Sequence, residues 1–115
     1  MTGSLVIRAD ATPALGSGHI MRMLALAQAW RRRGGDAVFA AVEISEAILE
    51  RLAGFQVEHS SNLVPGSVDD AEWTARVAGE IDANWVVTDG YHFNSDYQEM
   101  LKQAGFKLAV MCDYR

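Results

Sequence analysis

Residues 15–22 read LGSGHIMR: two glycines flank a serine, a histidine follows at once, and an apolar run begins directly behind it. A tight turn at Gly16, Ser17 and Gly18 that runs into a helix leaves free backbone N–H groups and the positive end of the helix dipole pointing forward. That setting attracts an anion such as a diphosphate oxygen, and glycine lets a bulky ligand approach the backbone closely. The same dipole disfavours an imidazolium, so His19 in the first helical turn tends to the neutral form. A neutral imidazole facing an anionic ligand with a good leaving group is what a general base requires. A histidine that caps the helix or packs on the next loop fits the same spacing, and the residues alone leave both readings open.

Three aspartates, Asp10, Asp89 and Asp113, each close an apolar strand-like run. In open parallel sheets ligands sit at the carboxyl ends of the strands, so these acids belong to one rim with Gly16, Gly18 and His19. Aspartate is also a common turn and cap residue, which gives the coincidence a bland explanation. His92, after Asp89, Gly90 and Tyr91, falls on the same rim, whereas His59 ends a strand before a serine loop and reads as surface. A magnesium or phosphoacceptor site would need a lysine at the end of the last strand, and Lys107 opens that strand instead. No His/Cys cluster has metal-ligand spacing, so no metal is expected. A dinucleotide fingerprint needs a third glycine where Met21 stands and a shorter link from Asp10 to Gly16. There is no Gly-Lys-Ser/Thr triplet for a phosphate loop, and no cofactor is expected.

The elements that must carry these residues alternate regularly. Leu5, Val6 and Ile7 form a short β-branched run ending at Arg8, Ala9 and Asp10. Residues 20–30 are apolar nearly throughout, which predicts a helix buried on more than one side, closed by Arg31, Arg32, Arg33 and a left-handed glycine cap. Residues 37–42 read as a second strand. Ser45 caps a helix with Ile48, Leu49 and Leu52 on its apolar face, and Gly54 stops it. Residues 55–58 give a third strand. Trp73, Val77 and Ile81 form the stripe of a third helix, and residues 85–88 a fourth strand. Ser95 with Gln98 has the pattern of a capping box for a helix whose Tyr97, Met100, Leu101 and Ala104 face one way. Residues 107–112 complete a fifth strand. The three tryptophans read as core. The order β-α-β-α-β-α-β-α-β predicts an α/β fold: a Rossmann-like parallel sheet with helices on both faces.

The 115 residues amount to a single domain, residues 1–115. Half are hydrophobic and 22% charged, an ordinary globular composition. A net charge of −5 argues against nucleic acid as a partner, because a duplex-binding face needs several uncompensated cations. The only basic run falls at a helix end and suits the dipole there. One cysteine fits a reducing compartment, and neither a signal peptide nor a membrane-spanning run is present, so a cytoplasmic location is expected. The finish just past a core strand suggests a fragment, whose exposed cleft face would favour self-association.

The stretch IRADATPALGSGHIMRMLALAQAWRRRGGDAVF resembles the opening of the UDP-sugar hydrolases of pseudaminic acid biosynthesis and the related spore-coat polysaccharide biosynthesis proteins. In that family a strand ends in Arg-Ala-Asp, a loop leads to Gly-x-Gly-His, and a Met-Arg helix follows. WVVTDGYHFNSDYQEML is similar to the family's strand-Asp-His-Tyr-helix segment, and KLAVMCDYR to its strand ending in acidic residues. The resemblance covers the first half of the family's molecule. It implies the N-terminal half of a GT-B-type, two-Rossmann-domain fold akin to sugar-nucleotide glycosyltransferases, with a missing C-terminal domain supplying most of the nucleotide grip. The implied reaction is hydrolysis of a UDP-linked diacetamido-trideoxyhexose at the anomeric carbon, without a metal. Carried onto this sequence, His19 is the base that activates or orients water. Gly16, Ser17 and Gly18 shape the turn under the diphosphate and sugar, Tyr91 contacts the sugar, Asp10 and Asp89 shape the rim, and Arg22, one helical turn in from the glycines, orients the loop or simply braces it. Gly90 stands where the family has histidine, and Cys112-Asp113 where paired acids are typical. Both departures leave a sugar-nucleotide glycosyltransferase as an alternative, and a non-catalytic ligand-binding or interaction module as a third reading.

Overall fold

The computed structural model describes residues 3–11, 18–90 and 92–111, except for the His19 side chain. Nine elements follow in the expected order: β1 (Ser4–Ala9), α1 (Gly18–Arg32), β2 (Asp36–Ala41), α2 (Glu46–Arg51), β3 (Gln56–His59), α3 (Val68–Glu80), β4 (Ala83–Asp89), α4 (Ser95–Gln103) and β5 (Lys107–Met111). The strands form one sheet in the order β3-β2-β1-β4-β5, with every described pairing parallel. The central strands are buried on both faces, as the continuous apolar runs of β1 and β2 require.

Alternation along β1 divides the core. Leu5, Ile7 and Ala9 point to the face covered by α1 and α2, where Ile20, Met23, Ala27, Phe39 and Leu52 join them. Val6 points to the opposite face, with Val77 and Ala78 of α3, and Phe93, Tyr97 and Leu101 in and before α4. Burying each of the larger apolar side chains contributes about 1.5–3 kcal/mol. No helix among the described residues is long and apolar enough to cross a membrane.

Side-chain oxygens cap three helices. Ser45 accepts from the Ile48 N–H, Ser67 from Asp70 and Asn94 from Tyr97. The last of these corrects the capping-box assignment: the cap is Asn94, and Gln98 reaches back to the Phe93 carbonyl at 3.0 Å. Asparagine one residue earlier already supplies an acceptor of the right reach, so Ser95 becomes the first helical residue. Ala104, placed on the buried face by its spacing, caps the end of α4 and is exposed. Helix α1 buries a narrower stripe than its composition suggests: Ile20, Met23 and Ala27 are enclosed, whereas Met21, Leu24, Leu26 and Trp30 are only half-buried against the core. The three tryptophans likewise pack on core edges rather than inside them, Trp30 because its indole N–H donates to the Gly3 carbonyl at 3.1 Å. Arg31 does more than face solvent: its guanidinium stacks 3.8 Å over the Phe55 ring and donates to the Gly54 carbonyl.

Candidate functional site

Strand order reverses at β1. The chain leaves β1 through α1 toward β2, then returns by way of α3 to place β4 on the other side of β1. The crevice outside the carboxyl ends of β1 and β4 is therefore the switch point where open α/β sheets bind ligands. Gly18 is the first residue of α1 and His19 the second, so the start of that helix belongs to this edge. Arg22 fastens it there: its Nε and Nη2 donate to the two carboxylate oxygens of Asp89 at 2.9 and 2.8 Å. This fork-on-fork pair joins the first turns of α1 to the tip of β4. Asp89 is buried, while about a third of the Arg22 side chain (34%) meets solvent. Two of the residues singled out in the sequence are thus joined directly.

Asp10 lies beneath the rim. Its side chain is fully buried and accepts from Arg8 Nη1 at 2.6 Å, Arg8 Nη2 at 3.2 Å, and the Val42 and Glu43 N–H groups at 2.8 and 3.2 Å. Burial alone would raise its pKa. Proximity to His92, hydrogen bonds and charge from Arg8, and the Val42 N–H outweigh that and hold the carboxyl far below the usual carboxylate range. The acid expected at the binding surface therefore acts as a tie between β1 and the segment after β2.

Arg8 was read only as a strand end, yet it is the centre of a buried polar cluster. Its Nε and Nη2 donate to the two oxygens of Asp70, at 2.9 and 2.8 Å, and its guanidinium carbon lies 4.9 Å from the Phe93 ring centre. Asp70 also accepts from the Tyr97 hydroxyl at 2.9 Å, the Thr74 hydroxyl at 3.1 Å and the Gly66 N–H at 2.7 Å. Desolvation would weaken the Arg8 charge, but its hydrogen bonds to Asp70 and Asp10 and the charge of Asp10 push its pKa further up. Burial pushes the Tyr97 phenol up as well, against the pull of Arg8, so it remains a donor. The signal in the sequence was a lone arginine in an otherwise apolar central strand, which demands buried acids elsewhere in the chain.

His92 Nε2 sits 3.4 Å from Asp10 Oδ2, within ion-pair range but off hydrogen-bond alignment. Its ring leans on Phe93, with centroids 4.1 Å apart. His59 is exposed, as expected, with its Nε2 3.1 Å from the Val42 carbonyl. Gly16, Ser17, Tyr91, Cys112 and Asp113 lie outside the described residues, as does the His19 side chain. Among the described residues no group of three or more His, Cys, Asp or Glu could hold a metal ion.

No protein-family model matches the sequence, and no curated protein matches it. Solved structures do resemble the fold. MurG of Acinetobacter baumannii superposes with a TM-score of 0.69 at 14% identity, over 96% of this chain and 35% of MurG. The C-terminal domain of PF1911 hydrogenase from Pyrococcus furiosus, residues 83–215, gives a TM-score of 0.58 at 16% identity, over 95% of this chain and 91% of that one. A second structure of that domain, residues 78–226, gives 0.55 at 18% identity, over 94% and 89%. The chain thus has a Rossmann-like α/β fold of GT-B-like kind and spans about a third of the length of MurG.

Proposed function

We propose that this chain is the lobe of a nucleotide-sugar enzyme that presents the sugar side of the cleft. Its reaction would be hydrolysis of a UDP-linked diacetamido-trideoxyhexose, with water attacking the anomeric carbon and UDP leaving. In this reading His19 takes the proton from water as the new C–O bond forms. The bond to the diphosphate breaks with its electron pair leaving on UDP. The turn at Gly16, Ser17 and Gly18 carries the phosphates at the start of α1. Arg22, Asp89 and Tyr91 border the sugar, and Asp10 anchors the rim from below. A companion lobe supplies the uridine grip, and the reaction needs no metal.

The observation that carries this reading is the Arg22–Asp89 fork, because it holds the glycine-led start of α1 at the switch point. The resemblance of residues 7–39 adds the substrate class. Transfer of the sugar to a hydroxyl acceptor is the second reading. It is favoured by the GT-B-like fold and by Gly90, which replaces a polar group beside Tyr91.

A panel of UDP-sugars, incubated with this chain and with any longer protein that carries it, tests the proposal. UDP release would be measured and the product anomer followed by NMR. The expected result is release by the two-lobed protein with water as acceptor, and none by the 115-residue chain. Release only when an alcohol acceptor is added would favour transfer. Turnover by the short chain alone would overturn the two-lobe reading.

A further inference from the structure

The sheet ends in two strands with a free edge, β3 and β5, and the two edges differ. An open strand edge is a template for another strand, and proteins blunt it with charges, prolines or shortness. β3 is blunted: it has four residues, and on its surface Gln56 donates to the Glu58 carboxylate at 2.8 Å. β5 is not. Leu108, Ala109, Val110 and Met111 follow one another without a charge or a proline, and Val110 and Met111 are 41% and 38% exposed. The one charge of this strand, Lys107, leans inward, with Nζ 5.7 Å from the ring centre of Trp85 on the neighbouring β4. Among the described residues no backbone group hydrogen-bonds to the outer edge of β5.

The strand is also complementary to itself. Set antiparallel about a two-fold axis through Ala109, two copies of β5 overlap along their whole length. Lys107 then faces the partner's Met111, Leu108 the partner's Val110, and Ala109 its own counterpart. Each pair joins two odd-numbered or two even-numbered residues, so the outward N–H and C=O groups of one strand meet those of the other. The two side chains of a pair also share one face of the joined sheet. Leu108 with Val110 extends the apolar face under α4, and Met111 covers the aliphatic stem of Lys107, with no like charges opposed. On the α1 face, Ala109 and Met111 line an apolar groove of about 250 Å3 with Leu26, Trp30 and Trp85, and the pairing brings the two grooves together at the seam.

We propose that the outer edge of β5 pairs antiparallel with β5 of a second copy of this chain, joining the two sheets into one. A single two-fold contact closes the assembly, because the other edge of each sheet is the blunted β3. The seam lies outside the crevice at β1 and β4, so the inference stands apart from the nucleotide-sugar reading.

Sedimentation equilibrium of the 115-residue chain from about 10 μM to about 1 mM, the span in which small interfaces associate, tests it. The expected result is a mass that rises with concentration from 12.6 kDa toward twice that value and no further. Val110→Lys, at an exposed position, should hold the mass at 12.6 kDa throughout while the chain stays folded by circular dichroism. In chains with Cys112 replaced by Ser, Ala109→Cys should cross-link to a dimer with a short bismaleimide, and Glu58→Cys should not. A monomer at every concentration would overturn the proposal and leave the edge to a strand of another protein. Growth beyond the dimer, a dimer that survives Val110→Lys, failure of Ala109→Cys to cross-link, or cross-linking through Glu58→Cys would overturn it as well.

Discussion

Arg8 with Asp10 and Asp70, and Arg22 with Asp89, are ion pairs of the same chemistry on the same sheet edge, yet they sit in opposite environments. The first has no solvent-exposed side-chain surface in any of its three members, and its acids are further tied to backbone N–H groups and to Thr74 and Tyr97. The second has one end in water and bridges an α1 turn to a strand tip beside a helix start. A closed cluster of this sort fixes one arrangement of β1, α3 and α4. An open one is placed where a ligand can reach it. Residue type alone does not separate a fold-building arginine from a rim arginine; burial and the number of ties on the partner acid do.

Breaking the closed cluster should have the largest effect. Arg8→Ala strands two buried carboxylates and should cost about 3–5 kcal/mol in urea unfolding, the usual penalty for removing one partner of a buried pair. A loss below about 1 kcal/mol, the range of exposed pairs, would erase the distinction between the two arginines. Tyr97→Phe removes one donor from Asp70 with little change of volume and should cost about 1–3 kcal/mol by the same measurement.

Acid sharpens the contrast. The folded-state pKa of Asp10 lies below its unfolded value, so its stabilisation is complete above about pH 4 and is lost as pH falls from there toward the folded value. Unfolding midpoints compared at pH 7 and pH 3 should therefore differ less in Asp10→Asn than in the parent chain. An equal pH response would remove Asp10 from the cluster's energetics. Arg22→Ala should cost less than Arg8→Ala, about 1–3 kcal/mol, since it strands the single buried carboxylate of Asp89 from a guanidinium that is already a third in water.

Much of the fold was legible because its signals are local. β-branched runs, glycine stops and the alternation of elements named all nine elements and the parallel, two-sided sheet. Caps slipped by a residue where two polar candidates adjoined, as at Asn94 and Ser95. The stripe of α1 was overestimated because composition does not say which flank the sheet leaves uncovered. At the site, the Arg22 and Asp89 positions were readable from motif and strand end. Arg8, Asp70, Thr74 and Tyr97 were not, because 62 residues separate Arg8 from Asp70 and only folding brings them together. Asp10 was placed on the right edge at the wrong depth: its position followed from the strand, its burial from a partner that no local pattern announces.

The most direct test concerns the imidazole at the second position of α1. Turnover of the proposed UDP-sugar substrate should be compared between the proposed two-lobed protein and its His19→Ala variant, with unfolding midpoints measured on both. The expected result is a loss of about 10²–10⁴-fold in kcat with the midpoint unchanged, as for removal of a general base. A loss under about tenfold, or one that tracks a fall in stability, would make His19 a packing or capping residue and contradict the assignment of this edge to chemistry.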